Sequence, residues 1–121
     1  MIQYCSLSYQ DIYLKIWNES RAGSYSSYIR GKRCQTDEAF FNEISASFQF
    51  PCYFGENWNA LNDCLRDLDW LYFKKLFLVI DDFSTAYHGD EDGKRLLLKS
   101  LNMMLDYWRN KEIDVEIWLN N

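Results

Sequence analysis

The chain has 121 residues, 48% apolar and 18% aromatic, which gives one foldable domain with enough core to stand without disulfides. A net charge of −5, with no basic cluster beyond Arg30, Lys32 and Arg33, argues against a nucleic-acid binder, because phosphate contacts need a basic face. The longest unbroken apolar run outside the central stretch, Leu76 to Ile80, is far short of the roughly 20 residues that span a bilayer, so no membrane partner is expected.

In chain order, Ile12, Leu14 and Ile16 alternate with Tyr13, Lys15 and Trp17, the period of a strand with both faces partly covered. Arg21 to Ser27 is small and polar and reads as a turn or linker. Tyr28 and Ile29 close a short strand before Gly31. Thr36, followed by Asp37 and Glu38, reads as a helix N-cap with acids in the first turn, and Phe40, Phe41, Ile44 and Phe48 give that helix its apolar face until Pro51 ends it. Asn57 caps a second helix, on which Trp58, Leu61, Leu65 and Leu68 share the core side. Opposite them runs a polar strip of Asn59, Asn62, Asp63, Arg66 and Asp67, with two carboxylates four residues apart pointing the same way. Leu76 to Ile80 is apolar on both faces, as in a strand covered by helices on each side of a parallel sheet. Asp90 caps the longest helix, carrying Leu97, Leu101, Met104, Leu105 and Trp108, and Ile113, Val115, Ile117 and Leu119 form a half-covered closing strand. Strands joined by helical crossovers make a small α/β sheet.

Catalytic chemistry finds little support. The one histidine, His88, could partner Cys64, but Cys64 lies between the core residues Leu61 and Leu65 and reads as a small buried thiol. The acidic run from His88 to Gly93 fails as a calcium loop, because its twelfth position is Lys99 where a glutamate is required. Asp81 and Asp82, at the C-terminal end of a strand, are placed where α/β sheets bind ligands and could hold magnesium or do acid/base work. That leaves a small α/β enzyme or metal-binding protein as one alternative, and an acidic module for a basic partner that is not a nuclease as another. Cys5, Cys34, Cys52 and Cys64 form no C-x-x-C pair and follow no recognisable signal peptide, so reduced cytosolic thiols are expected.

The stretch Pro51, Tyr53, Phe54, Gly55, Glu56, Asn57, Ala60, Leu61, Asp63, Cys64 and Leu65 resembles the P-x-Y-[YF]-G-E-N-x-x-A-L-x-D-C-L signature of the barstar family, intracellular inhibitors of barnase-type ribonucleases. The likeness runs over residues 25 to 121, leaving 1 to 24 as an N-terminal extension. It implies a three-stranded parallel sheet packed by about four helices, with no catalytic residue, cofactor or metal, in a cytoplasmic monomer. It also implies that the second helix and the loop before it enter the active site of a basic ribonuclease, where carboxylates occupy phosphate positions without offering a scissile bond. The contact residues expected on that basis are Tyr53, Asn57, Trp58, Asn59, Asn62, Asp63, Arg66 and Asp67, with Asp63 matching the central acid of the binding helix. Asn59 and Asn62 depart from the family, which has an aspartate and a tryptophan there, so the implied partner is a barnase-type or another microbial ribonuclease. On the last helix, a partner-contacting glutamate of the family aligns near Tyr107, beside Asp106.

Overall fold

The computed structural model describes residues 1–51 and 54–121. Its centre is β3 (Lys75–Asp81), whose residues Leu76, Phe77, Leu78, Val79 and Ile80 are all buried, so apolar side chains leave the strand on both faces. Two parallel strands flank it, β2 (Ser24–Arg30) and β4 (Asp114–Asn120), with Val79 opposite Tyr28 on one side and Trp118 on the other. The expected three-stranded sheet is thus present, and β1 (Ile2–Cys5) widens it to four by pairing in parallel outside β4, Ile2 opposite Ile117. The strand order is β1-β4-β3-β2.

This order decides where the helices go. The connection from β1 to β2 crosses the sheet one way, while those from β2 to β3 and from β3 to β4 step back the other way. Right-handed crossovers then put α1 (Tyr9–Arg21) on one face and α2 (Asp37–Ser47), α3 (Trp58–Leu65) and α4 (Glu91–Asn110) on the opposite one. Two cores result. The larger, under α2, α3 and α4, takes Leu76, Leu78 and Ile80 of β3, and the smaller, under α1, takes Phe77 and Val79. Each helix starts at a side-chain cap: Ser8, Thr36, Asn57 and Asp90 accept from the amides of Asp11, Ala39, Ala60 and Gly93 at 3.2, 3.1, 2.8 and 2.9 Å. No helix among the described residues is long and apolar enough to cross a membrane.

Three local expectations are corrected. The strand anticipated over Ile12 to Trp17 is helix α1, in which Ile12 and Ile16, four apart, face the sheet while Leu14 points to solvent. The linker anticipated from Arg21 to Ser27 is only a turn at Ala22 and Gly23, because Ser24 already opens β2; Ser27 is buried and donates to the Ser47 carbonyl at 3.3 Å. Helix α2 stops at Ser47, ahead of Pro51, as Gln49 takes a left-handed conformation and the Trp70 indole donates to the carbonyl of Phe48, just past the helix end, at 2.9 Å.

Charge holds α1 to the sheet as well as apolar contact. Glu19 is buried, and its carboxylate accepts from Lys15 at 2.7 Å, Lys75 at 3.2 Å and the Ser24 hydroxyl at 2.8 Å, while Lys75 also reaches Glu116 at 3.1 Å. Burial alone would raise the Glu19 carboxyl, but these donors outweigh it and hold the group down at about 2, against an ordinary 4.5. A carboxyl whose folded value lies below its unfolded one contributes stability that is complete above pH 4.5 and is lost as pH falls toward 2. Glu19→Gln should therefore lower unfolding free energy by about 1.5 to 3 kcal/mol at neutral pH, where it removes charge-assisted hydrogen bonds. Denaturant midpoints measured through the acid range should show parent and variant converging as the native carboxyl protonates; a gap that stays constant would show that Glu19 does not titrate this contact.

Candidate functional site

Helix α3 is short, and three features fix it in place. Asn57 caps its start, the Trp108 indole donates to the Leu65 carbonyl at its end (2.8 Å), and Leu61 and Leu65 are buried in the larger core, with Cys64 buried between them. Trp58, at the first helical position, is half-buried between Phe40 and Phe41, ring centroids 5.8 and 5.1 Å away, and its indole donates to the Asp37 carboxylate at 3.2 Å. Asp37 also accepts from the Tyr87 hydroxyl at 2.9 Å, so one carboxylate ties the start of α2 to both α3 and the segment before α4. The sequence around Asp37 points only to a role in the helix dipole; its partners lie 21 and 50 residues away, and no local pattern announces them.

The outward side of α3 differs in part from the strip expected. Asn59 and Asp63 are exposed, as is the capping Asn57. Asp63 is not a free carboxylate: Arg66 donates to it at 3.0 Å and, through its Nε, to the Asn62 carbonyl at 3.1 Å. The Asp63 side chain is nonetheless 76% exposed, so a partner can reach it. Asn62 is corrected from exposed to half-buried, its Oδ1 shielded from solvent with no hydrogen-bond partner among the described residues. Asp67 is corrected from the helix to the turn beyond it, because α3 closes at Leu65 and Leu68, still buried, takes a left-handed conformation. Asp63 and Asp67 therefore do not share a helical face. Tyr53, like Cys52, lies outside the described residues. On α4, Asp106 is exposed and paired with Arg109 at 3.6 Å, beside a half-buried Tyr107.

The other candidate chemistry is absorbed by structure. Asp81 accepts from the Tyr28 hydroxyl, from Asn120 Nδ2 at 2.8 Å and from the Asp82 amide at 3.0 Å. Its burial would raise the carboxyl, but those hydrogen bonds hold it below the usual range, the wrong direction for a general acid or base at neutral pH. Asp82 is left-handed, with its carbonyl accepting from Thr85, and a Cβ on Gly31 would collide with that same carbonyl. Cys64 is buried and its thiol is pushed up, first by burial and then by Asp67 and Asp63, the opposite of an activated nucleophile. Cys34 is pushed up to about 12 by burial. Among the described residues no three His, Cys, Asp or Glu side chains converge as a metal site would require.

A parallel α/β protein presenting a short capped polar helix, braced by aromatic rings beneath it, is the class that fold and site define. The sequence profile described as Barstar (barnase inhibitor) matches residues 25–120, and the chain belongs to that family. Among curated proteins, none matches the chain.

The two sides of α3 should respond differently to truncation. Leu61→Ala, at a fully buried position, should cost about 2 to 5 kcal/mol of stability, and Asn57→Ala about 1 kcal/mol through loss of the cap, whereas Asp63→Ala should change stability by less than about 1 kcal/mol. Chemical denaturation of the three variants checks this, and an Asp63 variant as unstable as the Leu61 variant would place that carboxylate in the fold rather than on a binding face.

Proposed function

We propose that the chain is a cytoplasmic inhibitor, or immunity protein, of a basic microbial ribonuclease of the barnase type, acting by occupation of the active-site cleft and with no catalysis of its own. Residues 25–121 form the inhibitory unit, each chain engages one nuclease molecule, and α3 with the loop before it supplies the contacts, Tyr53, Asn57, Trp58, Asn59, Asn62, Asp63, Arg66 and Asp67. The observation that carries this is the placing of Asp63: its backbone is held by buried neighbours two residues before it and one and two after it, while its carboxylate projects outward.

A ribonuclease cleft is basic because it holds RNA phosphates. A carboxylate on a rigid helix fills a phosphate position with little loss of side-chain freedom and no bond to cleave. On docking, a cation of the nuclease replaces Arg66 as the partner of Asp63. Asn59 offers neutral hydrogen bonds, about half as strong as charge-assisted ones. Overall charge contributes to the rate: a −5 chain is drawn toward a basic cleft over a distance that physiological salt, with a Debye length of about 8 Å, curtails.

The test is titration of the purified chain against a barnase-type ribonuclease and against any ribonuclease that co-purifies with it. Stoichiometric inhibition is expected, with association slowing as salt rises. Asp63→Ala should cost about 2 to 5 kcal/mol of affinity, a magnitude taken over from barnase–barstar complexes themselves, and Asn59→Ala should cost less. Asn59→Asp should tighten binding. Equal affinities for Asp63→Ala and the parent would end the phosphate-mimic reading, and inhibition of no ribonuclease would leave an acidic module with some other basic partner.

A further inference from the structure

The family match begins at residue 25, yet a contiguous set of exposed apolar side chains lies before it, on α1. Ile12 and Ile16 face the sheet, while Tyr13, Leu14 and Trp17 point away from it with exposures of 54, 56 and 50%. Tyr9, Gln10, Tyr13 and Leu14 line an open groove of about 400 Å³ on that outward side. The helix carries four charged residues. Lys15 and Glu19 turn to the sheet, and Asp11 and Arg21 remain exposed near opposite ends of the apolar strip. The guanidinium of Arg21 lies 5.6 Å from the ring centre of Trp17, which keeps it on the same outward side.

We propose that this face is an interface between two copies of this chain, joined by an antiparallel pair of α1 helices about a two-fold axis. Charge selects both the occupant and the direction. A two-fold contact sets one patch against itself, so the patch must complement its own rotated image. With Asp11 and Arg21 about 15 Å apart along an axis that rises 1.5 Å per residue, antiparallel pairing centred on Ile16 brings each against its opposite in the other copy. A parallel pair would oppose like charges and align the helix dipoles unfavourably. The same centring puts Trp17 of each copy over the Tyr13 and Leu14 side of the other's groove. Because α1 and α3 are on opposite faces of the sheet, the dimer leaves α3 open, and this inference stands whether or not the chain inhibits a ribonuclease. It replaces the monomer expected from sequence.

A single helix face is a small interface, in the class below about 1,200 Å² where complexes are transient, so the dimer should form in the micromolar range. Sedimentation equilibrium of the full chain, from about 1 to about 300 μM, should show a monomer–dimer equilibrium. Trp17→Ser should weaken association by about thirtyfold or more. Asp11→Arg and Arg21→Asp should each weaken it by about fivefold, and the double exchange should restore most of the loss. Because all three residues are exposed, far-ultraviolet circular dichroism should be unchanged in every variant. A chain that stays monomeric throughout the range overturns the proposal, as does a dimer indifferent to Trp17→Ser. Single reversals that weaken association without rescue by the double exchange overturn the antiparallel pairing.

Discussion

Strand β3 imposes the condition on which the rest of the fold rests, because five consecutive apolar side chains on an extended backbone must be hidden on two sides at once. One side is met by three helices that follow β2 and β3 in sequence. The other is met by a single helix, which can reach it only by starting from a strand at the far edge of the sheet and crossing above β4 and β3. The N-terminal segment is thus an integral cover for Phe77 and Val79. The polar frame of Lys15, Glu19, Lys75 and Glu116 sets the angle at which that cover lies, because apolar contact is non-directional and paired charges are not.

The C-terminal edge of the sheet shows how a site-like cluster can be wholly structural. Asn120 is buried, accepts from the Leu7 amide at 2.6 Å and donates both to the Leu7 carbonyl and to Asp81. One side-chain amide thereby serves as a further rung between β4 and the chain leaving β1, while Asp81 joins that rung to Tyr28 on β2. Sheets of this kind bind ligands at their carboxyl ends where loops diverge and leave polar groups without partners. Here those groups are used in closing the edge.

What could be read from residues alone follows from the range of the interaction that fixes each element. Caps act over three residues, so Thr36, Asn57 and Asp90 were legible, and so was β3, whose burial on both faces is written as an unbroken run. Helix α1 was not, because Ile12, Leu14 and Ile16 satisfy a period of two while Ile12 and Ile16 also satisfy a spacing of four. Ser8 and Asp11 were the deciding signal, an N-cap with an acid in the first turn. At the candidate site, the capped start and buried side of α3 were legible from spacing. Its early end was not, since a left-handed Leu68 and an indole donated by Trp108, 43 residues on, close it. The pairing of Arg66 with Asp63 is a three-residue helical contact and could have been anticipated.

That pairing bears on discrimination. On the phosphate-mimic reading proposed above, the chain meets many phosphate-binding surfaces, most of which are the wrong one. A lone carboxylate projects a field that falls off slowly, whereas a carboxylate and guanidinium 3.0 Å apart project the shorter-ranged field of a dipole, which ionic screening beyond about 8 Å all but removes. Asp106 carries its own arginine in the same way. The local acids are thus muffled at a distance and become available only to a surface close enough, and cationic enough in the right spot, to displace an arginine already in place. A diffuse polycation would be drawn by the net charge and then released, whereas a cleft with a fixed cation could complete the exchange, so on that reading each built-in arginine would act as a threshold that selects for geometry over charge.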